Sequence, residues 1–395
     1  MLVMDNYING KLSPSLSGEV IEVLNPYNQE VIGTVPKSTR SDVEEALKSS
    51  QKAQKKWCKL PAQKRASYLV EIADLLELHK EEMAVLLTKE HGKPLTQARD
   101  EIDASCGFIR YAAESARRIE GEIVTSEIDQ EQTWIQRVPY GVTVGIVAWN
   151  FPLALAARKF GNSLVCGNTM IIKPPSETPL TVMRLAEIIA KESSLPVGVL
   201  NFITGSGSEV GDALVRNDIV KLVTLTGSTR AGLEVFRAAA DHCVAVRLEL
   251  GGKAPFIVME DTDIDRAVKA AVIAKFNNCG QICTCNERMY IHESIYEKFV
   301  AGLIEKTSEL VVGDPLNPDT FIGPKVNKAE VEKINQLVQK SVEQGGKVLL
   351  DMTPEMKPTQ NGNWMYPVII EVPNNDNILM HDENFWPGTS CDESP

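Results

Sequence analysis

The stretch TMIIKPPSETPLTVMRLAEIIAKES, residues 169–193, joins a short apolar strand directly to a segment with apolar residues at helical spacing. The same order recurs where GVLNFITG precedes SEVGDALVRN, and where VKLVTLTG precedes TRAGLEVFRAAA. Strands that alternate with helices in this way form βαβ units around a parallel sheet. The sequence therefore predicts an α/β fold that binds its ligands at the carboxyl ends of the strands.

The segments on the amino-terminal side of these units have other patterns. Residues 41–118 carry apolar residues at helical spacing, and the first helix is predicted to begin with a capping box formed by Ser41 and Glu44. Residues 133–152 are rich in β-forming residues. We therefore expect a helical region followed by a β-rich segment before the parallel sheet begins.

A second α/β stretch follows the first, with helices predicted over residues 263–278 and 294–311. We expect two domains: residues 1–250, which include a β-rich bridging segment at about residues 121–140, and residues 251–395.

Composition excludes several functional classes. The chain has 395 residues, of which 43% are hydrophobic and 24% charged, as in ordinary globular proteins. Its net charge of −12 argues against nucleic acid or an anionic membrane as the main partner. No apolar run has the length of a membrane span, and no signal peptide is recognised. We expect a cytoplasmic protein with reduced thiols.

The segment FNNCGQICTCNER contains three cysteines, Cys279, Cys283 and Cys285. A zinc site would need a fourth ligand, and the spacing of Cys283 and Cys285 is poor for structural zinc. A buried, inert thiol is the stronger alternative, because free cysteine is among the most buried residue types. The glycine and glutamine before Cys283 favour a nucleophile in a tight loop. The pattern alone does not identify which thiol reacts.

Two further motifs carry polar residues at the ends of apolar strands. In VRLELGGKAPFIV, burial would raise the pKa of Glu249 and make it a usable general base, although pairing with a lysine or arginine explains it equally well. In GIVAWNFPLALAARK, the Asn150 amide could donate to a developing oxyanion, although a turn asparagine is the simpler interpretation.

The glycine-rich segment FITGSGSEVG follows a strand and opens a helix, which is the setting that phosphate groups need. Its spacing differs from the Rossmann fingerprint, so by itself it is weak evidence. The segment TLTGST repeats the setting, and Lys173 at the end of TMIIK could meet a ribose hydroxyl or a phosphate.

These motifs together resemble the NAD(P)-dependent aldehyde dehydrogenase superfamily over about residues 5–385. The resemblance rests on WNFP, IIKP, GSGSEVG, TGS, LELGGK, GQIC and ENF, which occur in that order. It implies a Rossmann-like parallel-sheet cofactor domain followed by a second α/β catalytic domain. It also implies NAD or NADP as cofactor, a small aldehyde as substrate, and a homodimer or homotetramer.

By the resemblance, Cys283 is the nucleophile, Glu249 the general base and Asn150 the oxyanion donor, and no metal is bound. Cys279 and Cys285 are then neighbours in the loop. The resemblance also assigns the cofactor to Ile146, Trp149, Lys173, Ser176, Gly207, Gly211, Gly227, Ser228, Leu250, Glu383 and Phe385.

Two departures from the family pattern bear on specificity. Ser176 stands where the family often has a glutamate that binds the adenosine ribose, so a 2′-phosphate is tolerable and NAD versus NADP stays open. Arg158 resembles the lactaldehyde/glycolaldehyde and succinate-semialdehyde dehydrogenases, because a guanidinium can bind a hydroxyl or carboxylate near the aldehyde. Lactaldehyde or glycolaldehyde is the first expectation and succinate semialdehyde the alternative. A salt-bridged helix arginine would also explain Arg158.

The largest departure is that residues 383–388 read Glu-Asn-Phe-Trp-Pro-Gly, where the family has Glu-x-Phe-Gly-Pro-Val. A one-base insertion after Phe385 is our hypothesis for this change. On that hypothesis the catalytic domain is incomplete and truncated, strands lose their partners, and the chain is poorly active and prone to aggregate. A catalytically inactive nucleotide-binding remnant is therefore one alternative function. A CoA-acylating relative is another, although the presence of Glu249 favours hydrolysis.

Overall fold

The computed structural model describes residues 1–354, 359–383, 385 and 387–394, with the backbone alone for 392–394. The α-helices are α1 Arg40–Trp57, α2 Ala62–Leu78, α3 Lys80–His91, α4 Leu95–Glu114, α5 Pro152–Val165, α6 Leu180–Glu192, α7 Asp212–Val215, α8 Thr229–Ala240, α9 Ile264–Phe276, α10 Tyr296–Ser308, α11 Lys328–Glu343 and α12 Ile378–His381. The strands are β1 Leu2–Val3, β2 Asn6–Ile8, β3 Lys11–Ser13, β4 Val20–Leu24, β5 Val31–Pro36, β6 Glu122–Thr125, β7 Gln132–Ile135, β8 Val142–Ile146, β9 Thr169–Lys173, β10 Leu200–Phe202, β11 Val220–Thr226, β12 Ala245–Glu249, β13 Pro255–Val258, β14 Arg288–His292, β15 Lys347–Asp351, β16 Val368–Glu371 and β17 Gly388–Ser394.

The chain forms two compact units. The first comprises Met1–Val23, Gly33–Ala84 and Arg99–Leu250, and the second comprises Leu24–Ile32, Val85–Ala98 and Gly251–Pro395. The sequence pattern gave no indication that two short early segments belong with the second unit. Within the described part of the chain, no helix is both long enough and apolar enough to cross a bilayer.

The first unit is built on a sheet with the strand order β12-β11-β8-β9-β10-β2-β3. Strands β8 to β12 are mutually parallel, which confirms the predicted parallel α/β sheet. The chain runs from β8 to β9 and β10 in one direction, and then crosses back to place β11 and β12 on the other side of β8. Sheets of this class leave a ligand crevice at the carboxyl ends of the strands where the order reverses.

Helices cover the sheet because its strands are apolar on both faces. Val144, Ile171 and Val223 belong to a core that also includes residues of α1, α7 and α8. On β8 the next residue is Gly145, and a Cβ added there would lie 3.3 Å from Cδ of Lys159 on α5. Glycine therefore allows the Lys159 side chain to lie directly against the strand.

The first helix begins one residue after Thr39, so the capping box predicted at Ser41 and Glu44 is wrong. The Thr39 N–H donates to the carboxylate of Asp42 at 2.8 Å, and the Leu16 N–H donates to the same carboxylate at 2.9 Å. Asp42 is buried. Thr39 and Asp42 therefore form the capping box of this helix, two residues before the predicted one, and the Leu16 N–H adds a donor from a distant segment.

The second unit contains a sheet with the order β13-β14-β17-β16-β15, in which only β15 is antiparallel to its neighbour. Ile369 of β16 packs in a core with residues of α9 and α10, while Ile370 packs on residues of α11 and α12. Both faces of the sheet are therefore covered, as a parallel sheet requires. Strand β17, which follows the departure from the family pattern, pairs with β14 and β16. The predicted loss of strand pairing does not occur at this position.

A separate antiparallel pair, β6 and β7, occupies the predicted bridging segment. All eight of its residues are exposed, including Trp134 at 65% and Ile123 at 65%. Large apolar side chains on an isolated hairpin form an apolar surface that this chain alone leaves in water.

The start of α5 depends on a carboxylate from another helix, and replacing it should destabilise the first unit. Glu101 of α4 is buried, and its Oε1 accepts from the N–H groups of Leu153 and Ala154 at 3.0 and 3.2 Å. Glu101→Ala should lower the free energy of unfolding by roughly 1–3 kcal/mol, because two helix N–H groups lose a charged acceptor. Urea unfolding measures this, with Asp100→Ala, an exposed acid on the same helix, as control. Equal losses in the two variants would contradict the assignment.

Candidate functional site

The carboxyl ends of four strands are aligned at one edge of the first unit's sheet. Ile146 at the end of β8 pairs with Lys173 at the end of β9, and with Leu225 on its other side. Thr226 at the end of β11 pairs with Glu249 at the end of β12. The sheet thus places Ile146, Lys173 and Glu249, which the sequence analysis selected, along the edge where the strand order reverses.

Lys173 is a buried cation at this edge. Its Nζ donates to the carbonyl of Pro174 at 3.0 Å, and burial lowers its pKa to about 8, against a smaller opposing effect of Glu177. A Cβ built on Gly211 would lie 3.9 Å from Cδ of Lys173, so the glycine-rich turn approaches the lysine. Ser176 is exposed just beyond the strand.

The other predicted cofactor residues lie on two strand-to-helix connections. Gly207 is exposed in a helical turn, and no atom lies within 4 Å of a Cβ built there. Ser228 caps α8, because its hydroxyl accepts from the Ala231 N–H at 3.2 Å. The Gly227 N–H donates to the carbonyl of Glu249 at 3.0 Å, which ties the connection after β11 to the end of β12.

These features fit a phosphate-bearing dinucleotide. The buried lysine offers a positive charge, the open space at Gly207 allows close backbone approach, and two helical segments begin beside the aligned strand ends. Leu250 lies against α8, because a Cβ on Gly232 would come within 2.5 Å of its Cδ2. Trp149 follows β8, and its carbonyl accepts from the Thr178 hydroxyl at 2.9 Å.

Asn150 and Arg158 are positioned by the turn from β8 into α5. Asn150 is buried, 4% exposed, two residues before the first residue of α5. The Arg158 side chain is exposed, and its guanidinium carbon lies 5.2 Å from the centroid of the Phe108 ring. No carboxylate among the residues that the structure describes forms an ion pair with Arg158. The described residues therefore give no support to the alternative that Arg158 is a salt-bridged helix arginine.

Lys159 is a functional candidate that the sequence analysis missed. It is 9% exposed, and its Nζ donates to the hydroxyls of Thr224 and Thr226 at 3.0 and 2.9 Å. Burial lowers its pKa to about 8, and the charge of Glu249 opposes that effect. An ammonium that titrates near neutral pH can exchange a proton with a carboxylate. The sequence feature that could have identified Lys159 is its place on an apolar helix, between Ala157 and Phe160, which are both buried.

Glu249 itself is exposed, so the burial expected for this carboxylate is wrong. Among the strands that the structure describes, β12 is the outermost of this sheet, and none of them pairs with its outer edge. A carboxylate in contact with solvent can still take a proton from water.

The three cysteines of the loop after α9 differ in solvent exposure. Cys283 is exposed, whereas Cys279 and Cys285 are each only 1% exposed. Burial raises the pKa of Cys279 to about 11 and also raises that of Cys285. Buried thiols with raised pKa values are poor nucleophiles. Cys283 is therefore the thiol of this loop that a substrate can reach.

A left-handed turn explains how the loop presents this residue. Asn278, Cys279 and Gly280 have φ values of 52°, 56° and 70°. The buried Gln281 stabilises the turn, since its Nε2 donates to the Asn278 carbonyl at 3.0 Å and its Oε1 accepts from the Val326 N–H at 3.1 Å. Backbone in this region is strained for residues other than glycine and persists only where such contacts fix it.

Two predicted residues near the end of the chain also lie in the second unit. The Glu383 carboxylate accepts from the Gly252 N–H at 3.2 Å, and burial raises its pKa. The Phe385 carbonyl accepts from the ammonium of the buried Lys325. Asn384 and Trp386 of the same motif lie outside the described residues.

Comparison with known proteins identifies the family. The model of the aldehyde dehydrogenase family matches residues 13–391. The chain is 42% identical to 3,6-anhydro-alpha-L-galactose dehydrogenase of Vibrio sp. (strain EJY3), over 96% of this chain and 79% of the relative. It is 39% identical to D-glyceraldehyde dehydrogenase (NADP(+)) of Picrophilus torridus, over 97% and 78% respectively. The structure of lactaldehyde dehydrogenase from Escherichia coli matches with a TM-score of 0.96 and 36% identity, covering 100% of this chain and 82% of that one. The predicted fold and family resemblance are confirmed.

Brief alkylation of the folded protein should distinguish the three loop cysteines. Iodoacetamide should label Cys283 at least tenfold faster than Cys279 or Cys285, because the latter two are buried and hold their protons more tightly. Peptide mapping by mass spectrometry measures the rates. The exposed Cys243 serves as the reference for an accessible thiol outside the loop. Equal labelling of all three loop cysteines in the folded state would contradict this arrangement.

Proposed function

Because the chain belongs to the aldehyde dehydrogenase family, we propose that it oxidises a small polar aldehyde of the lactaldehyde or glycolaldehyde type to the acid. The observation that carries this proposal is the exposed guanidinium of Arg158 without an ion pair to a described carboxylate. A guanidinium donates to hydroxyl and carboxylate oxygens in a fixed planar geometry. An apolar side chain at this position would offer no such donor.

The proposed chemistry uses a thiol, an amide and a carboxylate. The Cys283 thiolate attacks the aldehyde carbon, and the Asn150 amide with the Cys283 backbone N–H stabilises the oxyanion. NAD or NADP, when bound, supplies the hydride acceptor. The Cys283 sulfur then carries the acyl group as a thioester. Glu249 takes a proton from the water that attacks this thioester, so the acid leaves and the thiol is regenerated.

Succinate semialdehyde is the second candidate substrate, and the same residue supports it. A carboxylate binds an arginine more strongly than a neutral hydroxyl does, because both partners are charged and two hydrogen bonds can form. The two candidates therefore differ in how strongly they should depend on the charge of Arg158.

Replacing the arginine by glutamine should reduce turnover of polar aldehydes selectively. In Arg158→Gln, kcat/KM should fall by about tenfold or more for D-glyceraldehyde, lactaldehyde and glycolaldehyde, and further for succinate semialdehyde, because a charge-assisted hydrogen bond is worth about 1.5–3 kcal/mol. Butanal should be oxidised at an unchanged rate. NAD(P)H formation followed by absorbance measures each substrate.

Arg237→Gln, a change at an exposed arginine of α8, provides the matched control. A uniform loss for all aldehydes, butanal included, would contradict the proposed role of Arg158. Absence of NAD(P)H formation by the unaltered chain with every aldehyde would instead favour the nucleotide-binding remnant. Turnover that requires CoA would favour an acylating relative.

A change at Ser176 should reveal the choice of cofactor. The serine hydroxyl carries no charge, whereas a glutamate would repel a 2′-phosphate and accept hydrogen bonds from ribose hydroxyls. Ser176→Glu should therefore lower kcat/KM for NADP by about tenfold or more relative to NAD, since a like-charge contact costs several kcal/mol. Ser176→Gln is the control, because glutamine has the size of glutamate but carries no charge. An unchanged NADP-to-NAD ratio in Ser176→Glu would remove Ser176 from the cofactor site.

A homodimer or homotetramer remains the expectation from the family. The exposed apolar side chains of the β6–β7 pair support it, because burying such surface against another copy is favourable.

A further inference from the structure

We propose that Phe108 is a positioning residue that holds the Arg158 guanidinium for polar substrates, so that selectivity for these aldehydes depends on an aromatic face on α4. The inference rests on the proposed function, because it assigns to Phe108 a role that is exercised through Arg158. Its basis is the 5.2 Å separation between the guanidinium carbon and the ring centroid.

The two helices bring these residues together because a glycine lets them approach. A Cβ added to Gly161 of α5 would lie 3.1 Å from Cβ of Ala112 and 3.8 Å from the carbonyl oxygen of Phe108 on α4. Arg158 stands about one turn before Gly161 on the exposed side of α5. Phe108 is 37% exposed. The pair therefore lies at the solvent-facing margin of a close helix contact.

The aromatic ring fixes the guanidinium without occupying its hydrogen-bond donors. The face of the ring attracts the cation through its quadrupole. A carboxylate neighbour would instead accept the N–H groups and neutralise the charge. Because Phe108 accepts no conventional hydrogen bond, a substrate oxygen can still receive the donors at the edge of the guanidinium.

Fixing the side chain also reduces the entropic cost of binding. A free arginine loses side-chain rotamer freedom when it is immobilised. Contact with the ring meets part of this cost before substrate arrives, which is the general advantage of a pre-organised site. The neighbouring Tyr111 does not serve the same purpose, because it is 65% exposed and its ring faces Arg118, whose guanidinium carbon is 5.9 Å away.

The test compares Phe108→Leu with Phe108→Trp, which keeps an aromatic face. For D-glyceraldehyde and succinate semialdehyde, Phe108→Leu should raise KM about two- to fivefold with little change in kcat, the range expected from an exposed cation–π contact. Phe108→Trp should retain the KM of the unaltered protein. Butanal should show no change in either variant, because it offers no group to the guanidinium.

A matched control and a double variant separate positioning from packing. Tyr111→Leu makes the same aromatic-to-aliphatic change one turn along α4 and should leave all substrates unaffected. In the background of Arg158→Gln, Phe108→Leu should cause no further loss, because Phe108 acts only through the arginine. Thermal denaturation of each variant measures any change in stability.

A binding readout makes the test independent of turnover. Millimolar succinate should raise the denaturation temperature of the unaltered protein and of Phe108→Trp more than that of Phe108→Leu, while neutral butyramide should not distinguish them. These results would support the inference.

Three results would overturn the inference in different ways. If Arg158→Gln alters the preference for polar aldehydes and Phe108→Leu alters neither that preference nor the succinate shift, only the role of Phe108 fails. If Arg158→Gln leaves the preference unchanged, the proposed function fails, and the inference fails with it. A loss in Phe108→Leu that persists in the double variant would show a packing effect and would also overturn the positioning role.

Discussion

The candidate site of the first unit depends on the register of its parallel sheet. Ile146 of β8 is paired with Lys173 of β9, and the neighbouring strands end at the same level. Because side chains alternate between the two faces, a slip of one residue would exchange them along a whole strand. Gly145 would then turn to the opposite face of the sheet, away from the Lys159 side chain, and Val144 would leave the core.

The sequence predicted the parts of the fold that local patterns encode. Strand-to-helix alternation predicted the parallel sheet, and ordered motifs predicted the family. The position of the first capping box was wrong because Thr39 and Asp42, which have the same local spacing, begin the helix two residues earlier. The sequence analysis made no prediction for helix α11, although its buried residues Ile334 and Leu337 stand at helical spacing. The local pattern did not show which cysteine is accessible, since Gln281 fixes the loop through Val326, far along the chain. Only the family resemblance singled out Cys283.

The cations near the candidate site behave in two ways. Lys159 and Lys173 are buried and have pKa values of about 8, so they lose their charge as the pH rises through that value. Arg158, by contrast, is exposed, and no described carboxylate forms an ion pair with it.

The place of β17 in the second sheet has a consequence for folding order. Its two neighbours, β14 and β16, come earlier in the chain, and β14 precedes it by almost a hundred residues. During synthesis, β14 and β16 leave the ribosome before β17, so the strand edges that pair with β17 have no partner at first. Such long-range parallel pairing closes slowly, and unpaired edges can associate with other chains in the interval. Yield in the cell should therefore depend on chaperones that shield nascent strands.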